Sequence, residues 1–195
     1  MEPIENTVPA LSSRLYSFIG GGTGNWRVTR MTTIKGPAMP VAEYLNIAPA
    51  TVSGEGSAWV LRGITSNERY VTRDEKADLV GKQEGLGRAA ARCAALIPIR
   101  KSAAWWHLPQ DERRRIFEEQ STHVKIGMEF LPAIARRLHH CRDLGPDEPF
   151  DFLTWFEYAP EDEAAFDELV ALLRASPEWR FVTRECDIRL ERISK

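Results

Sequence analysis

The end of the chain changes its hydrophobic period twice, and that limits the folds open to it. Phe150–Tyr158 (FDFLTWFEY) alternates and is rich in aromatic residues, the pattern of a β-strand. Pro160-Glu161-Asp162-Glu163 then opens a helix whose Phe166, Leu169, Val170 and Leu173 fall at i, i+3, i+4 and i+7, a single apolar stripe. Trp179–Ile193 returns to alternation. A strand, a one-faced helix and a second strand in succession require a sheet with a helix packed on it.

The earlier chain has the same grammar. Trp26–Ile34 and Ser57–Ile64 read as strands, and Ala94–Lys101 as a third, whose Pro98 points to an edge position or a bulge. Thr72-Arg73-Asp74-Glu75 is a capping box and opens a helix to about Glu84. A long helical region starts at Pro109-Gln110-Asp111-Glu112 and runs through His123 to about Leu138, bent or divided at Pro132. Gly36–Gly56 reads as a long connection. Residues 1–24, ending in Gly20-Gly21-Gly22-Thr23-Gly24, read as an N-terminal arm or mobile edge. The expected fold is α+β, one unit of two ferredoxin-like halves, about 25–104 and about 105–195.

Charge gives little direction. The 195 residues carry 26 Lys and Arg against 28 Asp and Glu, a formal charge of −2, so neither nucleic acid nor an anionic membrane is an expected partner. No apolar run approaches the roughly 18 residues of a membrane span. The first residues, MEPIENTVPALSS, lack the basic and apolar regions of a secretory leader, so the cytoplasm is expected, or the periplasm if a leader has been removed. Cys93, Cys141 and Cys186 are odd in number and widely spaced, as reduced thiols would be.

Most catalytic motifs are missing. GGGTGNW has scattered glycines but no preceding strand, which argues against dinucleotide binding. There is no P-loop, HExxH or GxSxG. His139-His140-Cys141 has no second ligand cluster and reads as a solvated helix end, where cations suit the helix dipole. Between Lys101 and Phe156 the residues are more telling. Trp105-Trp106 precedes a segment in which His123 stands among Val124, Ile126, Met128, Phe130, Leu131 and Ile134. Such a histidine is most often a hydrogen-bonded core residue. With flat aromatic walls and a cation nearby, it is also what a haem needs: an axial imidazole, apolar faces and a partner for propionates.

The stretch IPIRKSAAWWHLPQDERRRIFEEQSTHVKIGMEFLPAIARRLHHCRDLGPDEPFDFLTWFEY, with GITSNERYVTRDEKADL before it and ALLRASPEWRFV after it, resembles the chlorite dismutase family of haem b proteins. The similarity runs from about Trp26 to the C-terminus, and the short chain is similar to the compact, dimeric branch. The resemblance implies a dimeric α+β barrel and one haem b per subunit. It implies His123 as the iron's axial ligand and Glu178, or failing it Glu168, as the carboxylate on that histidine's other nitrogen. It makes Arg136 the arginine of the substrate pocket, with adjacent Arg137 a one-residue alternative. Thr154, Phe156, Leu131 and Gln83 would line that pocket; Lys101, Trp105, Trp106 and Tyr70 would pack on the haem or meet its propionates. The implied activity is the conversion of chlorite to chloride and dioxygen, with Arg136, always charged, holding the anion without donating a proton. Decarboxylation of an iron coproporphyrin is the rival activity, and a non-catalytic haem-binding or haem-sensing protein the alternative from another class.

Overall fold

Among the described residues eight strands run β1 Leu15–Gly21, β2 Trp26–Lys35, β3 Tyr44–Pro49, β4 Trp59–Ile64, β5 Cys93–Lys101, β6 Ala135–His140, β7 Phe152–Tyr158 and β8 Val182–Arg192. The computed structural model describes residues 14–49, 53–65 and 85–193. All pairings are antiparallel, and the order β1-β3-β2-β8-β5-β7-β6-β4 closes on itself as a barrel. The helices are α1 Ala103–His107, α2 Gln110–Arg114, α3 His123–Glu129 and α4 Glu163–Ala175, with a π-helical stretch, Arg115–Gln120, between α2 and α3.

Alternation along the strands sorts residues into two cores. The barrel interior holds Phe18, Trp26, Leu45, Leu61, Ala94, Leu96, Leu153, Trp155, Ile188 and Leu190. The outer face of β5, β7 and β8 carries Ala95, Ile97, Ile99, Phe156 and Tyr158, and α4 covers it with the expected stripe of Phe166, Leu169, Val170 and Leu173, all buried. Phe166 stacks on Tyr158, ring centroids 4.6 Å apart, and meets Phe156 at 5.0 Å.

The α+β class and the strands read around 26–34, 57–64, 94–101, 150–158 and 179–193 are present. Four expectations are corrected. First, the helical region does not reach Leu138. The helix α3 ends at Glu129, because proline at 132 has no amide for the ladder and crowds the preceding turn, and Ala135–His140 is strand β6. His139, His140 and Cys141 are therefore buried rather than at a solvated helix end. Second, Leu15–Gly21, inside the expected arm, is barrel strand β1, paired with β3 and β4. Third, the connection 36–56 contains β3. Fourth, Pro98 is not on an edge, since the barrel has none. The ladder to β7 is unbroken through Pro98, while the ladder to β8 passes from Leu96 to Ile99 without a partner for Ile97 or Pro98. The expected helix at 72–84 lies outside the described residues.

The barrel closes most narrowly between β4 and β6, where Ile64 faces His140. His139 turns inward there, edge-on to Tyr16 and Phe18, and its Nδ1–H donates to the Leu153 carbonyl at 3.3 Å. Burial, with the Leu153 bond opposing it, lowers this imidazole from 6.5 to about 4. The unfolded chain therefore takes up a proton below about pH 6.5 while the fold resists it to about pH 4. Stability present above pH 6.5 is lost as pH falls through that window, by about 3 kcal/mol in total. Denaturant titrations across this range are expected to show the decline, and His139→Gln to remove much of its slope. Gly63 beside it has no room for a side chain: a methyl there would lie 2.6 Å from the His139 Cβ. Gly63→Ala is expected to destabilise the barrel by roughly 1–3 kcal/mol in the same assay.

Candidate functional site

Strand β5 ends on the outer face with Lys101, and Ser102 starts α1 by accepting a hydrogen bond from the Trp105 amide. This turn brings three chemistry-bearing residues together within six positions. The Lys101 ammonium is buried, 3.6 Å above the centre of the Trp105 ring, and pairs with the Glu178 carboxylate. Glu178 lies in the 3-10 turn Pro177–Phe181 that leads into β8, and its amide donates to the Ser121 hydroxyl at 2.9 Å. Its second carboxylate oxygen is 2.9 Å from Nδ1 of His123, the first residue of α3.

Glu178 is thus a buried anion between a lysine and a histidine. Burial alone would raise its carboxyl; His123 and Lys101, by charge and hydrogen bond, bring it down to about 2. Burial in turn lowers Lys101, with Glu178 opposing it. With a carboxylate on Nδ1, Nε2 is the histidine nitrogen offered to a metal. The structure places Lys101 differently from the sequence expectation: its ammonium is committed to Glu178 rather than turned toward a cofactor's carboxylates. Of the two candidate acids, Glu178 is the one in contact; Glu168 is exposed on α4.

The β6–β7 ladder separates the two arginines. Arg136 pairs with Phe156 and Leu138 with Thr154, so all four stand on the outer face, the side of α4 and Lys101. Arg137 pairs with Trp155 and points the other way, where its guanidinium meets the Tyr16 hydroxyl at 3.4 Å. The Arg136 guanidinium reaches α3. A methyl on Gly127, one helical turn after His123, would come within 1.8 Å of its Nη1, so glycine is what allows this approach. Burial there lowers the guanidinium's hold on its proton, with the charge of Glu118 opposing it. Leu131 follows α3, half-buried; Leu138 is 43% exposed on the same outer face as Arg136.

Trp105 is buried like a core residue, but its indole N–H has no acceptor among the described residues. Trp106 is half-buried, stacked on Phe152 with its N–H on Asp151 at 3.2 Å, and Arg142 covers its ring. Tyr70 and Gln83 lie outside the described residues.

Sequence reasoning missed Asp151, whose buried carboxylate accepts both the Lys101 amide at 2.7 Å and the Trp106 indole. It also missed Phe117, stacked on the His123 ring at 4.3 Å. An aspartate in FDFLTW reads as an ordinary strand-start residue, and no local pattern announces its partners 45 and 50 residues away.

The residues fit a haem. An imidazole held by a carboxylate at Nδ1 is the donor an iron porphyrin takes, an apolar outer face with a guanidinium lies beside it, and a buried indole N–H is left to be satisfied.

The chain is similar to known proteins in sequence and in shape. The chlorite dismutase family model matches residues 50–192. The chlorite dismutase of Ideonella dechloratans is 34% identical over 126 residues, 64% of this chain and 41% of that protein, so the match spans less than half of that relative's length. The dimeric chlorite dismutase of Nitrobacter winogradskyi has 53% identity and a TM-score of 0.86 over 91% of this chain and 99% of that one. Chlorite dismutase from Candidatus Nitrospira defluvii, in complex with imidazole, has 20% identity and a TM-score of 0.65 over 93% of each chain, a likeness of fold. With the match covering nearly three-quarters of the sequence and the barrel shared throughout, the chain belongs to the chlorite dismutase family.

Proposed function

We propose that this protein is a haem b-dependent chlorite dismutase, converting chlorite to chloride and dioxygen. The observation that carries the reading is the juxtaposition of a carboxylate-held histidine and a half-buried arginine at α3, in a chain of this family. Bound haem b, one per subunit, supplies the iron at which chlorite is split and the oxygen–oxygen bond is made.

His123 would hold the iron through Nε2. Glu178 keeps the proton on Nδ1 and makes the ring a stronger donor, while Lys101 keeps Glu178 ionised. Arg136 would attract the chlorite anion and hold charged chlorine species in the pocket by a charge-assisted contact; its guanidinium stays protonated and takes no part in proton transfer. Retention matters because a fragment that escapes lowers the oxygen yield and oxidises the protein. Thr154 and Phe156, sharing Arg136's face of the sheet, and Leu131 after α3 would wall the pocket and limit water; by the family likeness Gln83 would join them, and Tyr70 would pack on the haem or meet its propionates. Trp105 and Trp106 would pack against the haem, and the buried Trp105 N–H, without an acceptor among the described residues, is free to serve a propionate.

The reading extends to a homodimer of subunits built from two ferredoxin-like halves. The 53% identity to a dimeric chlorite dismutase supports it. A cytoplasmic location is supported by three cysteines that form no disulfide. No helix among the described residues is long and apolar enough to cross a membrane.

Oxygen evolution from chlorite, followed on an electrode with haem-reconstituted protein, tests the reading: close to one dioxygen per chlorite is expected. A histidine-ligated Soret band without oxygen would overturn the activity and leave the haem site. Arg136→Ala is expected to retain its Soret band and lose most of the turnover, by roughly 10-fold or more. His123→Ala is expected to bind haem weakly, with a shifted or diminished Soret band in a haem titration.

A further inference from the structure

We infer that Phe117 is a positioning residue for the iron ligand, and that the break in the helix before His123 exists to bring the two rings together. The inference rests on the reading of His123 as that ligand. The rings are stacked, with centroids 4.3 Å apart and planes at 24°.

In an unbroken α-helix two residues six apart are displaced by about 9 Å along the axis and stand about 120° apart around it. Phe117 and His123 could not touch in such a helix. They meet because the chain changes course between them. Arg115–Gln120 is π-helical, the local widening that often marks functional sites. Thr122 then takes φ 46° and ψ 37°, a left-handed conformation rare for a β-branched residue.

Three contacts hold this irregular stretch in place. The Ser121 hydroxyl accepts the Glu178 amide, tying the break to the turn that carries the histidine's carboxylate partner. The Glu118 carboxylate accepts the Val124 amide at 3.1 Å and so closes the start of α3. Ile116, one residue before Phe117, is buried and anchors the stretch.

Glu178 fixes His123 at one edge but leaves the ring able to turn about the axis of that hydrogen bond. A flat neighbour on its face removes that freedom. Phe117 therefore sets the plane of the imidazole, and with it the overlap between ligand and iron. Orientation of this kind is worth about 10–100-fold in metal affinity where outer partners have been removed from ligating histidines.

The test uses the holoprotein and measures haem transfer to excess apomyoglobin, the ferric electron paramagnetic resonance spectrum and the thermal midpoint. Phe117→Leu is expected to release haem about tenfold faster, with a broadened or divided ferric signal and a midpoint within a few degrees of the parent. Phe117→Tyr and Phe117→Trp, which keep a flat ring, are expected to restore both properties. If Phe117→Leu fails to fold, Phe117→Met removes the ring at similar volume. Parent-like transfer and resonance in Phe117→Leu, or no rescue by either aromatic, would overturn the inference while leaving His123 as ligand. Parent-like haem binding in His123→Ala would overturn the ligand assignment as well.

Discussion

The site depends on one buried carboxylate. A lone Glu178 at this depth would be unfavourable by several kcal/mol, since an ion taken out of water must be compensated by opposite charge and hydrogen bonds. The compensation comes from two separate parts of the chain, Lys101 at the end of β5 and His123 at the start of α3, while the Ser121 hydroxyl accepts the backbone amide of Glu178. Satisfying the anion therefore fixes where β5, α3 and the turn into β8 lie relative to one another. The histidine is positioned as a consequence of neutralising the glutamate, so the bonds that hold the fold also orient the imidazole. Asp151 repeats the device on a smaller scale, gathering the Lys101 amide, the Trp106 indole and Arg142.

The two adjacent arginines show how little separates a residue turned toward α3 from one turned away from it. Arg136 and Arg137 have the same chemistry, but neighbours on a strand face opposite sides of the sheet. A one-residue slip of β6 against β7 would exchange them, sending Arg137 toward α3 and Arg136 toward Tyr16. The register is held by what surrounds them. His139 and Ala135 are buried on Arg137's side, and His140 is buried on Arg136's side against Phe152. A slip would put Leu138 where His139 now donates to the Leu153 carbonyl.

Much of this was legible from residues alone where the pattern is local. Phe166, Leu169, Val170 and Leu173 announce the face of α4, and the alternation of 150–158 announces β7. The order Lys101, Trp105, Trp106, His123, Arg136 carried the likeness to the family. What escaped has a common cause: it is decided by distant partners. Ala135–His140 contains good helix formers, and only pairing with β7 makes it a strand, so His139 and His140 were read as solvated when they are core. The glycines of β1 look flexible, yet Gly20 is bare because the Trp59 ring lies where its side chain would be. Lys101 looked like a partner for a cofactor, and only its neighbour 77 positions away shows where its charge is spent. Phe117 gave no signal at all, because its contact with His123 needs a break in the helix that no residue between them spells out.

The barrel itself explains why the site lies outside it. An eight-stranded barrel has an interior that side chains can fill, and here Trp155, Trp26, Phe18 and His139 fill it, the two tryptophans edge to face at 5.2 Å. A planar group the size of a porphyrin has no place in that core. On the outer face α4 covers β5, β7 and β8, while β6 carries the exposed Leu138 and Arg136, whose guanidinium reaches α3. The closed interior then serves as a rigid back wall. It fixes the pleat of β6 and β7, the pleat fixes which arginine faces α3, and the chemistry is left to the two helices and one turn that the outer surface holds in place.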